Sequence, residues 1–159
     1  MPNESLDRLD KEILNALQKN ARLSNVELAD LVGLSPSPCL TRVKSLTNSG
    51  IIKRHVTLLD PNKLNLKINV FIHVSLEQQT ENLLEKFEQT MLSLPEVLEC
   101  YLMTGDSDYL LRVVIEDVDA LREFILNYLT RVNGVENIRS SLALKQVKYE
   151  TALPIADSV

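Results

Sequence analysis

The chain has 159 residues, 45% hydrophobic and 25% charged, an ordinary globular composition that excludes a disordered or low-complexity protein. Its net charge of −5 argues against a generally basic nucleic-acid protein, but residues 1–60 carry eight Lys/Arg against seven Asp/Glu and the remainder nine against fifteen. No apolar run approaches the roughly 18 residues of a membrane span, and no charged-then-apolar leader is visible, so a cytoplasmic protein without a membrane partner is expected.

In chain order, a first helix places Leu6, Leu9, Ile13 and Leu17 on one face, with Asp7 and Asp10 near its positive N-terminal end, and stops near Asn20. A second helix opens with Ser24-Asn25-Val26-Glu27, a capping box, and is expected to bury Leu28, Leu31 and Val32. After a short turn at Gly33 comes a third, with Ser35 as N-cap and Pro36 and Pro38 in the first turn, where proline is tolerated. It runs to about Asn48, stops at Gly50, and is expected to turn Cys39, Leu40, Val43 and Leu46 inward. Two helices joined by a Gly-containing turn, behind a supporting helix, make a helix-turn-helix pattern.

In that motif the start of the second helix of the pair enters the major groove. Ser35, Ser37, Pro38, Thr41, Arg42, Lys44 and Ser45 are therefore candidate DNA contacts. Hydroxyls suit phosphates, and Arg or Lys can reach guanine edges. The run from Leu31 to Leu59 contains Arg42, Lys44, Lys53 and Arg54 and no acid. Lys53 and Arg54 are expected to form a wing or a strand over the DNA backbone. A plain three-helix core with a polar outside is the competing reading.

At "DPNKLN", Asp60 to Asn65, the pattern changes, which divides the chain into a DNA-binding domain at 1–52, a hinge strand and linker at 53–66, and a second domain at 67–159. There, strict alternation of Ile68, Val70, Ile72, Val74 and Leu76 predicts a strand. A helix from Thr80 to Leu94, two strands at 97–103 and 109–115, a helix from Val118 to Arg131 and a last strand through Ile138, Ser140, Leu142 and Leu144 follow. The order β-α-β-β-α-β is ferredoxin-like and leaves one sheet face bare, which predicts a homodimer. Cys39 and Cys100 lack metal-ligand spacing and read as reduced core thiols; no metal or cofactor is expected.

The segment "MTGDSDYLL", Met103 to Leu111, joins the two middle strands. Catalytic carboxylates would need a base or nucleophile, and His55 and His73 lie elsewhere; an Asp-x-Asp metal site would need further ligands. The readings that survive are Asx turns in a hairpin, or a pocket for a small zwitterion, with Asp106 or Asp108 accepting an ammonium group.

Three elements together, "LDRLDKEILNALQKNARLSNVELADLVGLS", "SPSPCLTRVKSLTNSGII" and "GDSDYLL", resemble the Lrp/AsnC family of feast/famine transcriptional regulators, over residues 6–155. The "SPSPC" helix and the "TALP" tail resemble its leucine-responsive branch. The resemblance implies an α+β protein: an N-terminal winged helix-turn-helix domain followed by a ferredoxin-like effector-binding and oligomerising domain. It further implies a regulator and not an enzyme, one that binds double-stranded DNA, forms dimers that commonly assemble to octamers in the family, and responds to an amino-acid effector such as leucine or methionine. Carried onto this chain, the effector loop is Thr104, Gly105, Asp106, Ser107, Asp108 and Tyr109, with Leu102 or Met103 meeting an apolar side chain and Ser140 and Ser141 on the strand expected to complete the pocket. The runner-up is a ferredoxin-like small-molecule-binding or catalytic protein with purely structural N-terminal helices, and a third reading is an architectural DNA binder without an effector.

Overall fold

The computed structural model describes residues 6–155, which divide into two compact units. One comprises the chain up to Leu58 together with the tail from Lys148; the other runs from Leu59 to Val147. The unit observed here differs from the expected domain of 67–159 at both ends. The tail belongs with the N-terminal helices because Ile155 packs on their apolar cluster. Residues 59–66 join the second unit, where Pro61–Leu64 form a 3-10 turn started by Asp60, whose side chain accepts from the Asn62 N–H.

The N-terminal unit has three helices, α1 Arg8–Lys19, α2 Asn25–Leu31 and α3 Pro36–Asn48. Asp7 and Asp10 cap the start of α1 reciprocally, each side chain accepting from the other's backbone N–H at 2.8 and 3.3 Å. Ser24 and Glu27 do the same for α2. Ile13, Leu14, Leu28, Ala29, Val32, Cys39 and Leu46 form the core, their spacing fixed by the helical period. Two expected core residues are not in it: Leu31 is 65% exposed and Leu40 42% exposed. In α2 the inward positions go to Leu28, Ala29 and Val32, which leaves Leu31 on the outer side of a seven-residue helix.

The second unit is a four-stranded antiparallel sheet, β1 Ile68–Leu76, β2 Val97–Leu102, β3 Tyr109–Ile115 and β4 Val135–Leu142, in the order β2-β3-β1-β4. Val70, Ile72, Val74, Leu111 and Val113 alternate onto one face and meet Phe87 and Met91 of α4 (Glu81–Ser93) and Leu121 and Phe124 of α5 (Val118–Asn127). The helix expected to reach Arg131 ends at Asn127 and continues as a 3-10 turn, Leu129–Arg131. β4 stops at Leu142, so Leu144 lies outside the sheet and is 97% exposed. The opposite sheet face carries Phe71 and His73 on β1, Leu110 and Arg112 on β3, Glu99 and Tyr101 on β2, and Arg139 and Ser141 on β4. No element of this unit covers that face among the described residues.

Candidate DNA interface and effector loop

The start of α3 is unusual because of its two prolines. An N-cap side chain normally accepts a backbone N–H from the second or third helical residue. Here the third is Pro38, which has none, and Ser35, in N-cap conformation, makes no capping hydrogen bond. Its hydroxyl is left for other partners, and Ser37 holds the only backbone N–H among the first three helical residues. The turn is held from behind by Asn25, whose side-chain N–H donates to the Pro36 carbonyl at 2.7 Å. Gly33, at φ 67°, makes the left-handed step between α2 and α3.

Ser35, Ser37, Pro38, Thr41, Lys44 and Ser45 are all exposed, as are Lys53 and Arg54. The Thr41 hydroxyl donates to the Ser37 carbonyl, which leaves its lone pairs outward. Arg42 is the exception, being partly buried and already paired. Its Nη1 donates to Asp7 Oδ2 at 2.7 Å and to Asp10 Oδ1 at 2.8 Å, so it ties α3 to the start of α1. Arg42 lies three residues after buried Cys39 and four before buried Leu46, on the inward edge of the helix. The Asp10 backbone N–H, and then Arg42, hold the Asp7 carboxyl below its ordinary pKa. Lys53 and Arg54 follow the far end of α3, which is about 20 Å long, in a segment with no strand partner; the expected wing or strand is an unpaired stretch here.

In the second unit, the loop between β2 and β3 is pinned at one flank and open in the middle. The Met103 N–H donates to the Asp108 carbonyl at 2.8 Å and closes the hairpin. Asp108 is buried, and both carboxylate oxygens are engaged: Oδ2 accepts from the Leu76 N–H at 2.7 Å and Oδ1 from the Gln79 side chain at 2.6 Å. Its own N–H donates to the Val74 carbonyl. Of the two candidates for an ammonium ligand, Asp108 is therefore committed to the fold, and Asp106 is exposed. Tyr109 is likewise a core residue, 1% exposed, its ring 4.4 Å from that of Phe87 and its hydroxyl donating to Glu88 Oε1 at 2.8 Å. Burial, reinforced by Glu88, raises its phenol pKa.

Leu102, Met103, Thr104 and Gly105 are exposed beside Asp106, and Gly105 adopts φ 125°, a conformation that requires glycine. Ser107 is tied to the sheet through His73, Nδ1 to Oγ 3.1 Å. Ser140 and Ser141 are elsewhere. β1 lies between β4 and β3; Ser140 pairs with Ile72 and Ser141 with Phe71, so they face opposite sides of the sheet at its far edge from β2. One chain does not bring them to the loop. Two grooves of this unit, about 590 Å³ between α4 and α5 and about 320 Å³ beside Glu96 and Phe124, contain no loop residue.

Asn25, Gln79 and His73 were not singled out from the sequence. Asn25 follows a capping serine, which hints at a helix-start role, but Gln79 and His73 act through tertiary contacts with no local signal. Cys39 is buried as expected. Cys100 is not a core thiol: it is partly accessible, although burial of the sulfur, and then Glu88, pushes its pKa up to about 11.

Comparison with known proteins finds the same two kinds of domain in the same order, with the ligand-binding match extending past Val147 into the tail. The model of the Lrp/AsnC ligand binding domain matches residues 69–153, and that of a winged helix-turn-helix DNA-binding domain matches residues 6–53. The chain is 40% identical over 154 residues to the leucine-responsive regulatory protein of Klebsiella pneumoniae, covering 97% of this chain and 94% of that one. A crystal structure of a Neisseria meningitidis transcriptional regulator in complex with L-methionine matches with TM-score 0.90 and 43% identity, over 94% of this chain and 97% of that one. An AsnC family regulator of Agrobacterium tumefaciens matches with TM-score 0.89 and 40% identity over the same shares. With α3 presented on a helix-turn-helix and a ligand-binding domain behind it, the chain belongs to the Lrp/AsnC family of transcriptional regulators and is a regulator, not an enzyme.

Proposed function

We propose that this regulator binds duplex DNA through the start and outer face of α3 and that an apolar amino acid, methionine or leucine, taken up at the 102–106 loop, changes that binding or the oligomeric state. The observation that carries the effector reading is the loop itself. Asp108 fixes its flank through Leu76 and Gln79 while Thr104, Gly105 and Asp106 stay exposed beside Leu102 and Met103. That arrangement offers a carboxylate for an ammonium group, a hydroxyl and N–H groups for a carboxylate, and apolar atoms for a side chain. The L-methionine complex of the Neisseria relative supports the choice of ligand class.

Because one chain leaves the loop without a facing wall and the sheet with a bare apolar and charged face, the working form is a homodimer through that face. Dimers assemble further, to an octamer on the family pattern, so that a second copy completes the effector site. No helix of the described residues is long and apolar enough to cross a membrane, and the proposed place of action is the cytoplasm. Fluorescence anisotropy on the chain's own upstream DNA, titrated with L-methionine, L-leucine and then each of the other standard amino acids, tests the reading. Salt-sensitive binding that one of these amino acids shifts severalfold is expected; binding indifferent to all twenty amino acids would leave a DNA-binding regulator whose 103–108 segment is only a hairpin turn.

A further inference from the structure

We propose that the DNA-binding unit carries a binding site for the chain's own C-terminal tail, built on Gln18 of α1, and that the docked tail is a second tether through which the ligand-binding domain acts on the DNA-binding helices. The side-chain amide of Gln18 meets the backbone of Leu153 twice: its Oε1 accepts the Leu153 N–H at 2.6 Å, and its Nε2 donates to the Leu153 carbonyl at 3.2 Å. This is the pair of bonds that a neighbouring strand would give one residue of an antiparallel partner. It reads an extended backbone, not a side chain, and the Leu153 side chain is accordingly 72% exposed. Two residues later Ile155 supplies the apolar anchor by packing on the cluster of Ile13, Leu14 and their neighbours.

The tail sequence is suited to the site. Leu153 precedes Pro154, and a residue before proline is biased to extended backbone, so the segment is presented with little ordering cost. One turn earlier, Glu150 Oε1 accepts the Ala152 N–H and sets the approach.

The consequence comes from connectivity. The chain passes between its two units at two places, after Leu58 and after Val147. The first is the unpaired segment that follows α3. The second leaves β4, whose neighbour β1 is hydrogen-bonded to the effector loop through Asp108 and through His73 and Ser107. A displacement of the loop, β1 or β4 on ligand binding therefore has a route to α1 that bypasses the hinge, provided that Gln18 and Ile155 hold the tail. This regulatory half rests on the amino-acid-responsive reading above; the tail site does not.

The test uses the full chain, Gln18→Ala and a chain ended after Thr151, each followed by hydrogen exchange at the Leu153 amide (where present) and by anisotropy on operator DNA with and without L-methionine or L-leucine. Alanine is a better helix former than glutamine, so α1 persists in the variant, which circular dichroism checks. We expect about tenfold or greater protection of the Leu153 amide in the parent chain, lost in Gln18→Ala. Both altered chains should bind DNA within about threefold of the parent without amino acid, while the shift produced by the amino acid falls to less than half. Free exchange of Leu153 in the parent chain would overturn the tail site. A full ligand response in both altered chains would overturn the tether. If the parent itself fails to respond to any amino acid, the effector reading and the tether fall together, and the tail site is judged by the exchange data alone.

Discussion

The face of α3 and the loop between β2 and β3 are built in opposite ways. On α3 the outward groups are free, and the restraint comes from behind: Arg42 is bound by Asp7 and Asp10, and Asn25 holds the Pro36 carbonyl. In the loop the restraint is within the motif itself, since Asp108 and Tyr109, two of its most prominent side chains, are buried parts of the fold. The first presents exposed hydroxyls and a lysine from one chain, the chemistry suited to a polyanion. The second, on the proposed reading, is half a pocket, its exposed residues requiring another surface opposite. A residue's type therefore says what it can bind, while its partners decide whether it is available.

Replacing the residues that hold each site should hurt more than replacing those that face outward. Asp108→Ala has the largest expected effect, because it leaves the buried Leu76 N–H without an acceptor; stability should fall by roughly 2–4 kcal/mol in urea unfolding, and Asp108→Asn should recover part of it. Asp106→Ala, two residues away and exposed, should change stability by less than about 0.5 kcal/mol, yet weaken the amino-acid response severalfold. Equal losses from the two would erase the distinction between holding and facing residues. On α3, Arg42→Ala is expected to cost about 1–2 kcal/mol of stability in the N-terminal unit, with DNA affinity falling only as far as the helix loosens. Lys44→Ala should do the reverse, lowering DNA affinity by about 1–3 kcal/mol and the salt slope by about one with unfolding unchanged.

The smallest effect is electrostatic. The folded state lowers the Asp7 carboxyl pKa through the Asp10 N–H and Arg42, and that of Glu27 through the Ser24 hydroxyl and N–H. A depressed folded-state pKa contributes stability above the unfolded value, near 4, and loses it as pH falls through the folded one. The N-terminal unit should therefore weaken on acidification below about pH 4, and Asp7→Asn should flatten that slope. Melting curves between pH 2.5 and 6 measure it.

Much of the architecture was legible because it follows from local rules. The 3.6 and 2.0 periods place each α-helix and strand of the described residues to within a few residues, and the capping box at Ser24 marks its own helix; the box at Asp7 and Asp10 reads from sequence only as charge near a helix start. What was not legible depends on contacts distant in sequence. Nothing near Arg42 says that Asp7, 35 residues earlier, will occupy it, nor that Gln79 will reach Asp108. Leu31 and Leu40 were placed inside by type, although their turns of helix point outward. The separation of Ser140 and Ser141 from the loop follows from strand order, which hydrophobic pattern alone does not encode. The tail was similarly assigned to the domain it follows in sequence, not to the helices it packs on.

The most direct measurement is a paired titration of Lys44→Ala and Asp106→Ala on the same operator fragment, with L-methionine affinity measured in parallel by calorimetry. The account predicts separable defects: Lys44→Ala loses DNA affinity and keeps methionine binding, and Asp106→Ala keeps DNA affinity and loses methionine binding. Loss of both functions in either variant, or wild-type behaviour in both, would contradict a regulator that reads DNA with the face of α3 and senses an amino acid at the 102–106 loop.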